Sequence, residues 1–209
     1  MRIAIVGAGG VGGLLAGLLA RSGVEVVAVA RGGQLEAIRR GGIRVDSPLG
    51  TFTAKVPAAE DPAALPAADA VLVAVKAWQV PEVAPRLAPL VAPGGAIVPL
   101  QNGVEAADQL AQALGPDAVA GGIVKVLAWI DAPGAVKHVG IAPVVIMGER
   151  GARAADPSPR LEGLSEALRR AGVDARVSHD VEREIWEKFL AIEPWGAIAA
   201  ASRAPIGVI

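Results

Sequence analysis

The chain has 209 residues, of which 53% are hydrophobic, and its formal net charge is −1. This length can bury the core of one large domain or somewhat more, and the nearly neutral charge argues against a nucleic-acid or membrane-surface partner that binds a basic face. The sequence contains no cysteine, and its two histidines, His138 and His179, lie far apart. Disulfides, thiolate nucleophiles and thiolate metal ligands are therefore excluded, and we expect no metal site.

The N-terminal stretch, residues 1–31, has the pattern of a strand, a tight turn, a helix and a second strand. This pattern predicts a dinucleotide-binding βαβ unit, in which the first glycine permits a sharp exit from the strand, the second lets backbone approach a diphosphate and the third lets the helix pack on the sheet. The helix N-terminus offers further N–H groups to the phosphates. The predicted cofactor-binding residues of the turn are Gly7, Ala8, Gly9, Gly10, Val11 and Gly12.

The same apolar N-terminus could be mistaken for a signal peptide or a membrane span. It carries a single positive charge, and the glycine turn interrupts its apolar run. It is better explained as a core strand followed by a core helix. Because the sequence shows no other targeting segment, we expect a cytoplasmic location.

Arg31 follows the second predicted strand, where an NAD-specific site usually has Asp or Glu to bind the ribose 2′-hydroxyl. An arginine at this position accommodates a 2′-phosphate instead. The nearby acid, Glu25, lies at the start of that strand and is too early. The sequence therefore predicts NADPH rather than NADH, and the alternative is that Arg31 is a solvated loop residue.

Apolar runs alternate with helical patterns as far as Leu114, which predicts a mostly parallel sheet covered on both faces. Residues 78–90 are predicted to be a helix, and strands over 119–130, 135–139 and 144–147 are expected to add antiparallel pairing. The fold class is α/β, with a Rossmann-type domain over residues 1–178. Residues 179–209 are expected to form the first helix of an all-helical domain.

Four further motifs carry a family resemblance. They are Val75-Lys76-Ala77-Trp78-Gln79, Leu100-Gln101-Asn102-Gly103-Val104, Trp186-Glu187-Lys188, and the spaced pattern Pro133-Gly134, His138 and Met147-Gly148. With the glycine turn, they make the chain resemble the ketopantoate reductase (2-dehydropantoate 2-reductase) family over essentially its whole length. The resemblance implies NADPH-dependent reduction of a 2-keto acid to a 2-hydroxy acid, with 2-dehydropantoate of pantothenate biosynthesis or a related compound as substrate. It also implies dimerisation through the C-terminal helix.

Ketone reduction needs a proton or strong positive charge at the carbonyl oxygen, and a lysine is the natural acid in a chain without tyrosine or cysteine. The resemblance assigns this role to Lys188. It also implies that Lys76 lies near the cofactor and substrate, and that Asn102 lies beside the nicotinamide ribose and the reacting carbonyl. Without the resemblance, Lys188 is alternatively a surface lysine and Lys76 a charged residue at the end of a strand. Asn102 is alternatively part of a simple Asn-Gly turn. Gln79 is expected either to begin a helix or to contact the adenine side of the cofactor.

Several positions depart from the resemblance. The family has asparagines one and two turns after the catalytic lysine, where this sequence has Ile192 and Gly196. Later substrate-binding helices of the family would fall after Ile209, so we expect the chain to be a fragment. Lys125 either extends to solvent or binds a substrate carboxylate, and the role of Glu193 is open.

Two other functions are consistent with the sequence. One is a regulator that binds NADP(H) without turnover, for which the two lost asparagine positions are the hint. The other is a different dehydrogenase with a Rossmann and a helical domain, acting on a hydroxy acid or a sugar phosphate. The Lys76 and Lys188 motifs count against this second alternative.

Overall fold

The computed structural model describes residues 1–154 and 158–208. Its strands are β1 (Arg2–Val6), β2 (Glu25–Val29), β3 (Ile43–Asp46), β4 (Phe52–Ala54), β5 (Ala58–Ala59), β6 (Ala68–Val73), β7 (Val91–Pro99), β8 (Gly121–Ala132), β9 (Ala135–Gly148) and β10 (Asp174–Val177). Its α-helices are α1 (Gly10–Arg21), α2 (Gly32–Gly41), α3 (Val80–Val83), α4 (Ala106–Leu114), α5 (Pro159–Arg170) and α6 (Val181–Ser202). None of the helices in these described ranges combines the length and apolar character needed to cross a membrane.

The first sheet is parallel throughout and has the strand order β5-β2-β1-β6-β7. Its central strand, β1, is buried on both faces, as the continuous apolar run predicted. Ile3 and Ile5 pack into a core shared with α1 and α5, whereas Ala4 and Val6 pack into a second core with α3 and α4. The predicted Rossmann-type α/β fold is therefore confirmed.

A second sheet has the order β10-β9-β3-β4, with β8 paired to β9. Here the sequence prediction was partly wrong, because the two short strands expected over residues 135–147 are one strand, β9. β8 pairs antiparallel with β9, whereas β3 and β10 pair parallel with its two halves. The register between β8 and β9 shifts near Lys125. Residues 140–143 of β9, which the sequence prediction left between two strands, form a bulge at this shift.

Helix α1 lies between the two sheets, and its glycines allow both to come close. A Cβ on Gly12 would lie 2.1 Å from the carbonyl oxygen of Gly7, on the side of the first sheet. On the opposite side, a Cβ on Gly13 would lie 2.8 Å from a methyl group of Val136, and one on Gly17 would lie 2.6 Å from a methyl group of Val45. Real side chains do not fit at such distances, so the glycines of α1 set the spacing of the layers.

The segment over residues 78–90 was predicted to be one helix, and this was wrong. The structure has only the four-residue α3 there, flanked by short 3-10 turns at Ala77–Gln79, Ala84–Arg86 and Ala88–Leu90. Pro81, Pro85 and Pro89 explain the difference, because each proline lacks the N–H group that a continuous α-helix needs.

We expect Gly17→Ala to lower the free energy of unfolding by about 1–3 kcal/mol, as overpacking does, although alanine is the better helix former. Gly33→Ala in α2 is the matched control, because a Cβ there has no heavy atom within 4 Å. Urea denaturation would compare the two variants. Adding Val45→Ala to Gly17→Ala should cost less than the sum of the single changes, because it makes room for the new methyl group. Equal stability of both single variants would contradict the packing of α1 described above.

Candidate active site

The loop between β1 and α1 presents bare backbone to an open crevice. Gly7 has a φ of +96°, which side-chain-bearing residues rarely adopt. The N–H groups of Gly7 and Ala8 both donate to the carbonyl oxygen of Val29, at 3.0 and 3.3 Å, and tie the loop to the end of β2. A Cβ on Gly9 would have open space in front of it, with no heavy atom within 4 Å. This cradle fits a diphosphate, which needs close approach to main chain.

Helix α1 begins at this cradle without a side-chain cap, because its N-cap residue is Gly9. Its first N–H groups and the positive end of its dipole are the groups that bind phosphate at helix N-termini. Gly12, also predicted to bind cofactor, lies away from the crevice and packs beneath the loop against Gly7. Its place fits the packing role that the sequence predicted for the third glycine.

The crevice contains two adjoining cavities. The first, here called the outer cavity, has a volume of 370 Å³ and lies at the ends of β1, β2 and β6. The residues predicted to bind cofactor that line it are Gly7, Ala8, Gly9, Arg31, Lys76 and Gln79. The side-chain oxygen of Gln79 accepts a hydrogen bond from the Lys76 N–H group at 3.1 Å, so Gln79 closes the turn after β6 as well as lining the cavity.

The second cavity, here called the inner cavity, has a volume of 550 Å³. Among its lining residues are Gly9, Gly10, Val11, Lys76, Asn102 and, from β8, Trp129 and Ile130. Gly9, Lys76 and Ile130 line both cavities, so the two form one crevice across the carboxyl ends of the parallel strands. Open α/β sheets bind nucleotides at this edge, and the residues present fit an extended dinucleotide.

Lys188 and Asn102 meet at the far end of the crevice. The Lys188 Nζ lies 2.9 Å from Oδ1 of Asn102 and 2.8 Å from the carbonyl oxygen of Val124. Asn102 lines the inner cavity and also a third cavity of 210 Å³, which Lys188 lines as well. Lys76, the other predicted catalytic residue, lines the outer and inner cavities.

The ammonium group of Lys188 is partly removed from water. Burial, and then the positive charge of Lys125, lower its pKa from the ordinary value to about 8. Lys125 itself is exposed on β8, next to Val124, and it lines none of the three cavities. This placement favours the solvent-directed alternative for Lys125. A lysine with a pKa near 8 can hold a proton at neutral pH and still release it.

Gln101 is a site residue that the sequence prediction missed. Its side chain is buried, and Nε2 donates to the carbonyl oxygens of Val73 and Val75, each at 2.9 Å. These bonds join the strand end that precedes Lys76 to the strand end that precedes Asn102. The position of Gln101 within the Leu-Gln-Asn-Gly motif could have indicated that it belongs to the site. The motif does not show which groups its carboxamide binds.

Arg150 is a second residue that the prediction missed, and it holds α6 in place. Its guanidinium contacts Asp108 of α4 at 2.6 Å and also Glu182 in the first turn of α6. Arg176 of β10 pairs with Glu184 in the same part of α6. These ion pairs involve the helix that carries Lys188. The sequence could not predict them, because the paired residues belong to different elements and no local pattern connects them.

Within residues 1–154 and 158–208, no group of three or more His, Cys, Asp or Glu side chains is placed to hold a metal ion. His138 is buried between two hydrogen-bonding partners, with Ser47 Oγ at 2.7 Å from Nδ1 and the carbonyl oxygen of Ile141 at 3.0 Å from Nε2.

Comparison with known proteins agrees with this geometry. The family description Ketopantoate reductase PanE/ApbA matches residues 3–151. The 2-dehydropantoate 2-reductase of Mesorhizobium japonicum is 32% identical over 233 aligned positions, which cover 99% of this chain and 69% of that protein. The chain belongs to the ketopantoate reductase family. The sequence prediction of an oxidoreductase of the 2-dehydropantoate 2-reductase type is thereby confirmed.

Solved structures of ketopantoate reductases have the same fold. The crystal structure of 2-dehydropantoate 2-reductase from Geobacter metallireducens matches with a TM-score of 0.91 and 35% identity, covering 100% of this chain and 68% of that one. The enzyme from Porphyromonas gingivalis also has a TM-score of 0.91, with 29% identity, and 75% of it is covered. The chain therefore spans about two thirds to three quarters of the length of these relatives.

We expect Lys125→Ala to raise the pKa of Lys188, because it removes a positive charge that disfavours the ammonium form. The pKa should stay below the ordinary value for lysine, since burial is the larger cause. NMR titration of 13C-labelled lysine side chains, with Lys188→Ala used to assign the resonance, would measure it. Lys125→Arg is the matched control, because it keeps the charge, and an unchanged Lys188 pKa in Lys125→Ala would contradict the coupling.

Proposed function

We propose that this chain catalyses the NADPH-dependent reduction of a 2-keto acid to a 2-hydroxy acid, with 2-dehydropantoate or a related 2-keto acid as substrate. The supporting observation is the contact between Lys188 and Asn102 at the border of two cavities. The inner cavity continues into the crevice suited to a dinucleotide, and the third cavity is open to a small acid. An acid group placed between a hydride donor and a carbonyl compound is what this reaction needs.

The hydrogen bonds of Lys188 leave one of its protons for the substrate. An ammonium group has three N–H donors, and two of them are directed at Asn102 Oδ1 and the Val124 carbonyl oxygen. The third is available to the keto oxygen. As the oxygen becomes an alkoxide, the ammonium stabilises its negative charge and then transfers the proton to it. The half-buried amine regains a proton from water before the next turnover.

Asn102 acts as an orienting partner of Lys188. Because its Oδ1 accepts from Lys188, its NH₂ group is turned toward other acceptors, and a substrate oxygen or the nicotinamide ribose in the inner cavity is such an acceptor. NADPH, when bound, supplies the hydride. The residues of this chain bind and align the reactants and hold the proton.

Arg31 and Lys76 supply positive charge to the outer cavity. Arg31 lies directly after β2, where the 2′-position of the adenosine ribose is read in dinucleotide folds, and its guanidinium can bind a phosphate in a bidentate manner. We therefore propose that Arg31 gives the preference for NADPH, and that Lys76 contacts the cofactor at the point shared by the outer and inner cavities.

Besides the roles of the site residues, three sequence predictions stay predictions: the division into domains at residue 178, a cytoplasmic location, and a homodimer formed through α6. The homodimer is supported by the apolar side chains that α6 leaves exposed in this chain, among them Trp186, Leu190 and Trp195.

Consumption of NADPH over a panel of branched 2-keto acids tests the proposed function. We expect Lys188→Ala to lower kcat by about 10²- to 10⁴-fold, the usual contribution of a general acid, while NADPH binding is retained. In the unmodified chain, kcat should fall as the pH rises through about 8, because the acid must be protonated. This alkaline limb should be absent in Lys188→Ala.

Lys137→Ala is the matched control for that experiment, because Lys137 pairs with Asp46 at 3.6 Å on the second sheet and lines none of the three cavities. Full activity of Lys188→Ala would refute the mechanism. NADPH binding without consumption of any 2-keto acid would instead support the non-catalytic regulator.

We expect Arg31→Ala to weaken NADPH binding relative to NADH on the order of 10- to 100-fold, the value of a charged hydrogen-bonding pair. Dissociation constants of both cofactors, measured by fluorescence titration, give the ratio. Arg40→Ala is the control, because Arg40 is exposed on α2, the helix that follows Arg31, and lies outside the outer cavity. A ratio that Arg31→Ala leaves unchanged would refute the assignment.

A further inference from the structure

The side-chain nitrogen of Lys188 is held by two acceptors and is open on a third side. Asn102 Oδ1 lies 2.9 Å and the carbonyl oxygen of Val124 lies 2.8 Å from Nζ. A lysine nitrogen has three positions besides its bond to carbon. Lys188 also lines the third cavity, whose volume is 210 Å³, so its remaining position is accessible to a small molecule in that cavity.

The group that occupies this third position changes with protonation. In the ammonium form it is an N–H bond, which serves the acid role proposed above. In the neutral amine, two N–H bonds can keep the same two acceptors, and the lone pair takes the third position. The contacts with Asn102 and Val124 thus direct the lone pair toward the cavity, which is the orientation that a lysine nucleophile needs.

The surroundings of Lys188 favour the neutral amine. A lysine becomes nucleophilic near neutral pH when it is desolvated or lies near another cation. Both conditions are met here, because burial and then the positive charge of Lys125 lower the pKa of Lys188 to about 8. The walls of the third cavity contribute the apolar side chains of Ile123, Ile185, Phe189 and Ile192.

Two further charged side chains lie along the crevice. Glu193 lines the third cavity, but it is exposed and water screens its carboxylate. Lys76 lines the inner cavity rather than the third one. Of the described residues that line the third cavity, Lys188 alone carries an amine.

We propose that Lys188 is also a nucleophile, which condenses reversibly with small aldehydes and ketones that enter the third cavity. The nitrogen attacks the carbonyl carbon, a C–N bond forms, and a proton moves from nitrogen to oxygen to give a carbinolamine. Uptake of a proton from solvent and loss of water then give a protonated imine. The step involves no oxidant or reductant, so it is independent of NADPH and does not rest on the proposed function.

The site can accommodate the imine without leaving either acceptor of Lys188 unpaired. A protonated imine keeps one N–H bond, and the carbonyl oxygen of Val124, in its partly buried place, can keep this donor. Asn102 is exposed, so its Oδ1 can bind water instead. Because the imine occupies the nitrogen that would donate a proton, the adduct should block any reduction that uses Lys188 as acid.

Reductive trapping of the 209-residue chain without NADPH tests this proposal, with propanal as the probe. Sodium cyanoborohydride converts a protonated imine into a stable secondary amine, and peptide mass mapping then gives the rate of modification at each lysine. Lys137 is the internal reference, because it pairs with Asp46 at 3.6 Å and lines none of the three cavities.

At pH 8, about half of the amines with a pKa near 8 are unprotonated, against roughly 1 in 250 ordinary lysines. A less basic amine is also a weaker nucleophile, which offsets part of this advantage. We expect modification of Lys188 to be about 10-fold or more faster than that of Lys137.

Lys125→Ala tests the contribution of the neighbouring charge, and Lys125→Arg is the matched control because it keeps that charge. Lys125→Ala should slow modification of Lys188 at pH 8 by about 2-fold or more, since a larger share of the amine is then protonated. Lys125→Arg should leave the rate close to that of the unmodified chain.

Modification of Lys188 that is no faster than that of Lys137 would overturn the proposal, whether or not the chain reduces a 2-keto acid. Fast modification that Lys125→Ala leaves unchanged would overturn the part assigned to Lys125. Because the mapping needs neither cofactor nor turnover, a failure of the proposed function would not by itself affect this result.

Discussion

The site depends on one ammonium group that is held away from bulk water. A lysine in such a place is unfavourable unless hydrogen-bond acceptors surround it, and Lys188 has two, Asn102 Oδ1 and the carbonyl oxygen of Val124. These acceptors come from different parts of the fold, one after β7 and one within β8. The hydrogen bonds of Lys188 therefore require the end of the parallel sheet, the second sheet and α6 to be correctly positioned relative to one another. The apolar cluster around Ile123 and Ile185 packs α6 against β8 and so helps to fix this position.

Strand β8 contributes to both halves of the site. Near its start it supplies the acceptor for Lys188, and further along it passes over α1 to line the crevice with Trp129 and Ile130. This passage is possible because Gly10 has no Cβ: one built there would lie 2.5 Å from the carbonyl oxygen of Ala128. The same glycine-rich turn thus leaves bare backbone facing the crevice on one side and lets the second sheet approach on the other.

The local features were predictable from the sequence, and the long-range ones were not. The turn from Gly7 to Gly12 follows from backbone geometry that only glycine provides, so the crevice could be placed correctly. The course of β9 could not, because a strand's partners lie far away in the sequence and β3 and β10 share its length.

For the same reason, only the family resemblance implied that Lys188 and Asn102 both lie at the reacting carbonyl, and their hydrogen bond was not predicted, because the sequence around either residue does not specify the other. Gln101 and Arg150 were missed because their roles depend on which carbonyl oxygens or carboxylates the finished fold brings to them.

The spacing of the two functional halves along the chain bears on what each costs to assemble. The diphosphate cradle is closed by a contact between Gly7 and Val29, which are 22 positions apart in sequence, whereas Lys188 and Asn102 are 86 positions apart. Closing the loop between Asn102 and Lys188 costs more chain entropy than closing the loop between Gly7 and Val29, because it is longer. The contact that closes the cradle therefore costs less chain entropy than the contact that positions the amine, and the second must be stabilised more strongly by its surroundings.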